Sequence, residues 1–118
     1  MVSLHEAATS IIEAGKFLDT KGWVPASSGN FSVRLDDGDI AMTVSGRHKG
    51  YLTPDDVMRV DSTGTPRDNK KPSAEMHLHL LIYEKDASAG AVLHTHSPNA
   101  VIASRLWPDK KFLRLEDY

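Results

Sequence analysis

The sequence predicts an α/β fold formed by a single domain. Two observations lead to this prediction. Two short runs of alternating apolar and polar residues lie on either side of a polar turn at Asp36–Asp39, which indicates a β-hairpin, and apolar residues near the N-terminus recur at helical spacing. The chain has 118 residues, of which 40% are hydrophobic and 25% charged. It is therefore long enough to bury a substantial core and has the composition of an ordinary globular domain.

Charge and composition narrow the function classes. The formal net charge is −2 and no basic cluster with interleaved aromatic residues is present, so neither nucleic acid nor an anionic membrane is an expected partner. The lack of cysteine excludes disulfides and thiolate chemistry. No apolar run approaches the roughly 20 residues that span a membrane, and the N-terminus lacks the pattern of a signal peptide. We therefore expect a cytoplasmic protein.

The first predicted element is a packing helix. Ser3-Leu-His-Glu6 fits a capping box, in which a serine caps the helix and a glutamate three residues later caps the serine in return. An apolar set at helical spacing follows: Leu4, Ala7, Ala8, Ile11, Ala14 and Leu18. We expect the helix to end near Lys21-Gly22.

The hairpin comes next. We expect Phe31–Leu35 and Ile40–Val44 to form half-buried strands, because apolar and polar residues alternate in both. The loops at the ends away from the turn, Ser27–Asn30 and Ser45-Gly46, become neighbours in an antiparallel pair. Glycine lets backbone N–H groups approach an anion, and serine and asparagine side chains add hydrogen bonds. These loops fit either an oxyanion site or two ordinary solvated turns.

The second of these loops continues with Arg47-His48-Lys49-Gly50 and so carries up to three cationic groups. They form either an ordinary solvated loop or a support for an anion bound beside it. Thr53–Asp56 is typical of a single helical turn with proline at its first position, and Val57–Val60 is expected to be a short strand.

A second helix is expected to begin after Ser73 as its N-cap and to run to about Lys85. Glu75 falls in the first turn, where a carboxylate is favourable against the helix dipole and where it is also placed to act in catalysis. His77 and His79 differ by about 200° around the helix axis, so they cannot share a metal ion. His79 lies one turn after Glu75 and could face the same cleft, although a structural histidine with satisfied hydrogen bonds is favoured.

A histidine pair follows a short apolar run. Ala91–Leu93 lies behind Gly90 and is expected to be a buried strand. His94 and His96 at its end point to the same face, since residues i and i+2 of a strand do so. Two imidazoles that converge in this way suit a divalent metal such as zinc, or else they are two structural histidines.

The last predicted elements are a helix and the start of a strand. Ser97-Pro98 is typical of a helix start, with serine as the cap and proline at the first position, and the helix is expected to end near Leu106. Phe112–Leu115 is a candidate strand start.

Four motifs together resemble the class II aldolase/adducin family. They are Ser28-Gly29-Asn30 before a strand, Thr43-Val-Ser-Gly46 at the end of the next strand, Pro72-Ser-Ala-Glu75 and His94-Thr-His96. Their order and spacing are more specific than any one of them, and the similarity runs from near residue 4 to the C-terminus. The resemblance implies a central, mostly antiparallel sheet with helices on both faces.

The resemblance also implies a metal-dependent lyase that acts on a ketose 1-phosphate. One Zn²⁺ per subunit would be held by His94 and His96, and Glu75 would act as the general acid/base. The phosphate would be held by five residues: Gly29, Asn30, Ser45, Gly46 and Ser73. Within the family, the loop that contains His48-Lys49-Gly50 most resembles the bacterial dehydratases of methionine salvage, while aldol cleavage of a sugar phosphate is the alternative reaction. The family also implies a homo-oligomer, commonly a tetramer.

One departure from the family pattern concerns the third metal ligand. The family holds its metal with three histidines, the third well beyond the His-x-His pair, and no histidine follows His96 here. Residues 1–118 are therefore interpreted as one family domain that lacks its C-terminal part, which argues against activity of this chain alone. The missing strands would leave an exposed sheet edge and an apolar face, and this predicts poor solubility or altered association.

Two other classes of protein fit parts of the sequence. A non-catalytic module like the head domain of adducin would have the fold without the metal site, but the presence of His94, His96 and Glu75 argues against it, except in the shortened form. A cupin-like metal barrel also carries a glycine before His-x-His. Cupins place a glutamate a few residues later, whereas residues 97–106 contain none and are predicted to be helical.

Overall fold

Four antiparallel strands form one sheet between two helical layers in the computed structural model, which describes residues 2–114. The regular elements are α1 (Leu4–Thr20), β1 (Asn30–Arg34), β2 (Ile40–Thr43), β3 (Val57–Val60), α2 (Met76–Lys85), β4 (Ala91–His94) and α3 (Pro98–Leu106), with short 3-10 turns at Lys49–Tyr51 and Pro54–Asp56. The strand order is β3-β2-β1-β4. The predicted hairpin is the β1–β2 pair, and the predicted α/β fold with an antiparallel sheet is confirmed.

Each face of the sheet has its own core. On the α1 face, Ile11 and Leu18 of the helix pack with Phe31 and Ala41 of the sheet. On the opposite face, Met76 and Tyr83 of α2 pack with Met42. Because both faces are covered, every residue of β2 is buried. The prediction of half-buried strands was therefore wrong: alternation of residue type marks one covered face, and here the polar residues of the hairpin are covered as well.

The first helix is capped as predicted and approaches a loop closely. Ser3 Oγ accepts a hydrogen bond from the Glu6 backbone N–H (3.3 Å), and the Ser3 N–H donates to Glu6 Oε2 (2.8 Å). Farther along, Gly15 faces the first 3-10 turn, where a Cβ atom at residue 15 would lie 2.2 Å from the Lys49 carbonyl oxygen. The bare backbone of Gly15 therefore sets how closely α1 packs against the turn that carries Lys49.

The second helix begins two residues later than the sequence predicts. Glu75, not Ser73, is the N-cap, and it makes no side-chain capping bond. The preceding segment pairs with the end of β2 instead: the Ser45 N–H donates to the Lys71 carbonyl oxygen (2.9 Å) and the Ser73 N–H to the Thr43 carbonyl oxygen (3.2 Å). These backbone bonds hold the segment extended, so the helix starts only where the pairing ends. The predicted end at Lys85 is confirmed.

The last strand is an exposed edge rather than the buried strand expected from its apolar run. Within the described residues β4 pairs only with β1, and its residues alternate between exposed and half-buried. Large apolar side chains nearby in the chain are exposed as well: Leu78, Leu81, Ile82, Leu93, Ile102, Leu106 and Trp107. Residues 112–114 have no regular secondary structure, and Leu115 of the candidate strand lies outside the described residues.

We expect this exposed edge and apolar surface to make the chain self-associate. In sedimentation velocity, wild type should show species heavier than the 13.0 kDa monomer, increasing with concentration. Leu93→Lys should raise the monomer fraction, because a charge on an edge strand opposes pairing. Phe17→Lys is the matched control, since Phe17 is also a large exposed apolar residue but lies on α1. A wild-type chain that stays monomeric at every concentration would contradict the expectation.

No helix among the described residues is long and apolar enough to cross a membrane.

Candidate active site

The two polar loops of the hairpin meet at one cleft of about 370 Å³. Its lining residues come from both loops, from the segment before α2 and from the end of β4: Ser27, Ser28, Gly29, Asn30, Val44, Ser45, Gly46, Lys49, Ser73, Ala74, Glu75 and His96. All five residues predicted to hold a phosphate are in this set. The structure thus brings together residues as far apart in sequence as Ser27 and His96.

Strand pairing and one glycine place the histidine pair beside the cleft, whose lining includes His96 but not His94. Asn30 of β1 pairs with His94 of β4, so the first loop ends beside the histidine pair. Gly29 has φ +81°, and a Cβ atom there would lie 2.7 Å from Val24 Cγ1 and 2.9 Å from the His94 carbonyl oxygen. Only glycine permits this close approach of the loop to the end of β4.

Glu75 is the carboxylate at this junction. Its Oε2 atom accepts a hydrogen bond from Asn30 Nδ2 (2.8 Å) and also contacts Nδ1 of His94. The Asn30 hydrogen bond is the main reason that the pKa of Glu75 lies below its ordinary value, with the desolvation of the carboxyl group acting in the opposite direction. Glu75 is therefore ionised at neutral pH and, with its side chain 42% exposed, is accessible to a substrate as a proton acceptor.

A buried chain of hydrogen bonds holds Asn30 from behind. His79 Nε2 lies 2.6 Å from Asn30 Oδ1, and His79 Nδ1 lies 2.7 Å from Ser32 Oγ, which in turn lies 2.8 Å from the Tyr83 hydroxyl. Because the amide of Asn30 donates to Glu75, its Oδ1 atom must accept, so His79 carries its proton on Nε2. Ser32 then donates to Nδ1, and Tyr83 donates to Ser32.

These hydrogen bonds decide whether His79 faces the cleft or is a structural histidine. The side chain is 1% exposed, and burial lowers its pKa to about 4, so it is neutral at physiological pH. His79 is thus a structural histidine with both nitrogens bonded, as favoured from the sequence, while His77 is exposed. The partners of His79, Ser32 and Tyr83, were not predicted, because the alternation of residues assigned Ser32 to the outside. The signal was a histidine and a tyrosine at i and i+4, on one face of a helix.

His94 and His96 lie side by side at the end of β4, with ring centroids 4.8 Å apart. If His94 donates its Nδ1 proton to Glu75, its Nε2 atom is left for a metal, and a carboxylate on the other ring nitrogen is the usual support of a metal-binding histidine. Among residues 2–114 no three His, Asp or Glu side chains are arranged to hold a metal ion. The donors therefore fit zinc in kind, but these two imidazoles supply fewer than the three protein ligands of a catalytic site.

Only one of the three cationic groups predicted beside the anion loops lines the cleft. Arg47 pairs with Asp56 (Nε to Oδ1, 3.0 Å), and the His48 ring packs on Tyr51 with centroids 4.6 Å apart. Lys49 is the group that faces the cleft. Its position was not distinguished from its neighbours in the sequence, because the direction of each side chain depends on the 3-10 turn that follows.

A larger hollow of about 700 Å³ lies between Trp107 and the segment 110–114. It shares no lining residue with the cleft, and its polar groups are the lysine and arginine side chains of an exposed segment. It contains neither a carboxylate nor a histidine, so it offers no acid/base or metal-binding chemistry. The loop cleft is the candidate active site.

An antiparallel sheet between helices, with serine- and glycine-containing loops, a carboxylate and a histidine pair at one edge, defines a class II aldolase-type domain. The model of the family described as Class II Aldolase and Adducin N-terminal domain matches residues 9–116. The chain belongs to this family, as its motifs predict.

The relatives of the chain include both dehydratases and aldolases. A curated relative named methylthioribulose-1-phosphate dehydratase, from Methylococcus capsulatus, is 57% identical over 111 residues, which are 94% of this chain and 53% of the relative. The crystal structure of L-fuculose-1-phosphate aldolase from Thermus thermophilus has a TM-score of 0.74 and 32% identity, and the match covers 84% of this chain and 49% of the aldolase. YgbL of Klebsiella pneumoniae has a TM-score of 0.82 and 26% identity, over 88% and 50% of the two chains.

The chain spans about half the length of the curated relatives that it matches.

Proposed function

We propose that this chain forms the phosphate-binding and part of the metal-binding site of a lyase that dehydrates 5-methylthioribulose 1-phosphate, a step of methionine salvage. The observation that carries the proposal is that one cleft joins the two serine- and glycine-containing loops to the ionised carboxylate of Glu75. Identity of 57% to a relative named as such a dehydratase supports the choice of reaction.

Each part of the cleft has a role in the proposed binding of substrate. The phosphate lies between the two loops, against the backbone N–H groups of Gly29 and Gly46 and the polar side chains of Asn30, Ser45 and Ser73, because such concave sets of donors favour anions. The C2 carbonyl and the C3 and C4 hydroxyl groups then extend toward Glu75. Substrate analogues that lack the phosphate would lose this anchoring and the orientation that it gives.

The proposed reaction is the loss of one water. The C3–H bond breaks and its proton passes to the Glu75 carboxylate, which is ionised and half-exposed. The electron pair forms the C3=C4 double bond while the C4–O bond breaks, and the departing hydroxyl takes the proton back from Glu75 and leaves as water. The resulting enol then loses the proton of its C3 hydroxyl group and gains one at C4, which gives the 2,3-diketone.

His94 and His96 would hold a zinc ion, whose chemistry when bound is to polarise the C2 carbonyl and so acidify the C3 proton. Glu75 orients His94 through Nδ1 and leaves Nε2 as the metal-binding atom. With two imidazoles from the described residues, we expect binding weaker than that of a site with three histidines.

Aldol cleavage is the second candidate, because the domain shares its fold with an L-fuculose-1-phosphate aldolase at 32% identity. In that reaction the C3–C4 bond breaks instead of the C3–H bond. The same loops and the same carboxylate would serve both reactions, and higher identity to dehydratases favours dehydration.

Zinc titration of the purified chain tests the metal-binding part of this proposal. Wild type should bind one zinc ion per chain in isothermal titration calorimetry. His94→Ala and His96→Ala should each weaken that binding by at least roughly 10-fold. Loss of a residue that only hydrogen-bonds to a metal ligand already costs about this much, and loss of the ligand itself should cost no less. His77→Ala is the matched control, because His77 is exposed on α2.

Binding that is the same in the His94 and His96 variants as in wild type would contradict the metal site. Where zinc binds as expected, incubation of the loaded chain with 5-methylthioribulose 1-phosphate tests whether this half-length chain catalyses either reaction. Formation of the diketone, which absorbs in the ultraviolet, supports dehydration, whereas release of a three-carbon ketose phosphate supports aldol cleavage.

A further inference from the structure

Lys49 is the one buried lysine among the described residues, and its ammonium group lies between the two loops of the cleft. The residue is 1% exposed. Its Nζ atom donates to the Ser27 carbonyl oxygen (3.1 Å) in the first loop and to the Arg47 carbonyl oxygen (2.5 Å) in the second. A lysine has three N–H donors, so one remains after these two bonds.

The backbone around Lys49 is held in place from the other side. Gly15 of α1 packs directly on the Lys49 carbonyl oxygen, and Gly50 packs on the side chain of Asp19, at distances that leave no room for a Cβ atom at either glycine. The ammonium is therefore held in position before any ligand arrives, and little ordering is left to be done on binding.

The charge of Lys49 has no counter-ion within 4 Å among residues 2–114. None of the ion pairs among the described residues involves Lys49, and its two partners are neutral carbonyl groups. A buried charge without an opposite charge is costly, and this desolvation lowers the pKa of Lys49. Lys49 is also the sole lysine or arginine among the residues that line the cleft.

We propose that Lys49 is the cation of the anion-binding cleft: it ties the Ser27–Asn30 loop to the Ser45–Lys49 segment and donates its third N–H to the oxygen of a dianionic phosphate monoester. The inference rests on the proposed function, since it assigns a further residue to the same phosphate site. A bound dianion supplies the counter-charge that the described residues do not, and the two carbonyl bonds hold the ammonium where the loops meet. Lysine suits this role because its ammonium acts as a compact point charge.

Inorganic phosphate, with sulfate as a second dianion, is the probe for this proposal, and neither requires zinc or turnover. The change in melting temperature on adding phosphate is measured within each variant of the full chain, so that differences in basal stability cancel, and calorimetry gives the affinity. Lys49→Met should weaken binding of both anions roughly 10- to 100-fold, the usual range for loss of a hydrogen bond to a charged group. Lys49→Arg keeps the charge and should retain part of the affinity.

Arg47→Met is the matched control: it removes a neighbouring cation that pairs with Asp56 instead of lining the cleft, and its anion affinity should equal that of wild type. Anion affinity that is unchanged in Lys49→Met would overturn the assignment of Lys49 while leaving the proposed lyase intact. A wild-type chain that binds neither anion would overturn both the phosphate site and the role of Lys49. The zinc titration is read independently, so failure of the metal site is distinguishable from either result.

Discussion

Gly15→Ala is expected to destabilise the fold by about 3 kcal/mol, at the upper end of the usual cost of an overpacked contact. Helix propensity alone predicts the opposite, a gain in stability, since alanine is favoured over glycine in a helix interior by about 1 kcal/mol. The reason is the backbone of the first 3-10 turn: the new Cβ atom would lie 2.2 Å from the Lys49 carbonyl oxygen and 3.2 Å from its carbon. A backbone carbonyl cannot rotate away as a flexible side chain can. Urea unfolding of both proteins gives the difference.

Two control variants separate the steric effect from propensity. Ser10→Ala, at an exposed position of the same helix, should be neutral or slightly stabilising. Gly90→Ala meets no heavy atom within 4 Å and should change stability little. An alanine at position 15 that stabilises the protein as much as the one at position 10 would show that α1 and the turn are not in close contact.

His79 is expected to make stability fall by about 3 kcal/mol as the pH is lowered from about 6.5 to about 4. In the unfolded chain its pKa returns to the ordinary value of 6.5, whereas burial holds it at about 4 in the folded protein. Between these values the unfolded state binds one more proton than the folded state, so acidification favours unfolding, with a slope of about 1.4 kcal/mol per pH unit. Above pH 6.5 the effect is absent, because His79 is then neutral in both states.

Comparison of variants separates the contribution of His79 to the pH dependence of stability from that of carboxylates that titrate in the same pH range. His79→Gln cannot take up the proton and should be less stable at pH 7, but its stability should decline less steeply between pH 6.5 and 4. His77→Gln on the exposed face of α2 should keep the slope of wild type. Unfolding curves for wild type and His79→Gln that run parallel over this range would mean that His79 is not buried in a neutral form.

Local sequence patterns were enough to predict the elements whose formation depends on neighbours in the chain. The capping box at Ser3, the hairpin and the turn after Thr53 all follow from spacing within a few residues, and the structure contains each of them. The meeting of the two loops followed from the hairpin itself. Family membership rested on four motifs in order, which is why it could be predicted before the fold was known.

Features that depend on distant pairing were predicted less well. The late start of α2 results from backbone bonds between Ser73 and Thr43, and no local pattern indicates them. The exposure of β4 depends on which strands lie beside it, while its apolar composition indicates only that something can cover it. The burial of Ser32 depends on a histidine and a tyrosine more than 45 positions away.

The pairing of Asn30 with His94 ties the dimensions of the candidate site to the register of the sheet. One strand of this pair follows the Ser27–Asn30 loop and the other leads to the histidine pair, so a ligand that reaches both must match the distance that this register sets. A shift of β4 by one residue would turn His94 to the opposite face of the sheet. The backbone hydrogen bonds between β1 and β4 therefore keep the histidine on the side of the loop.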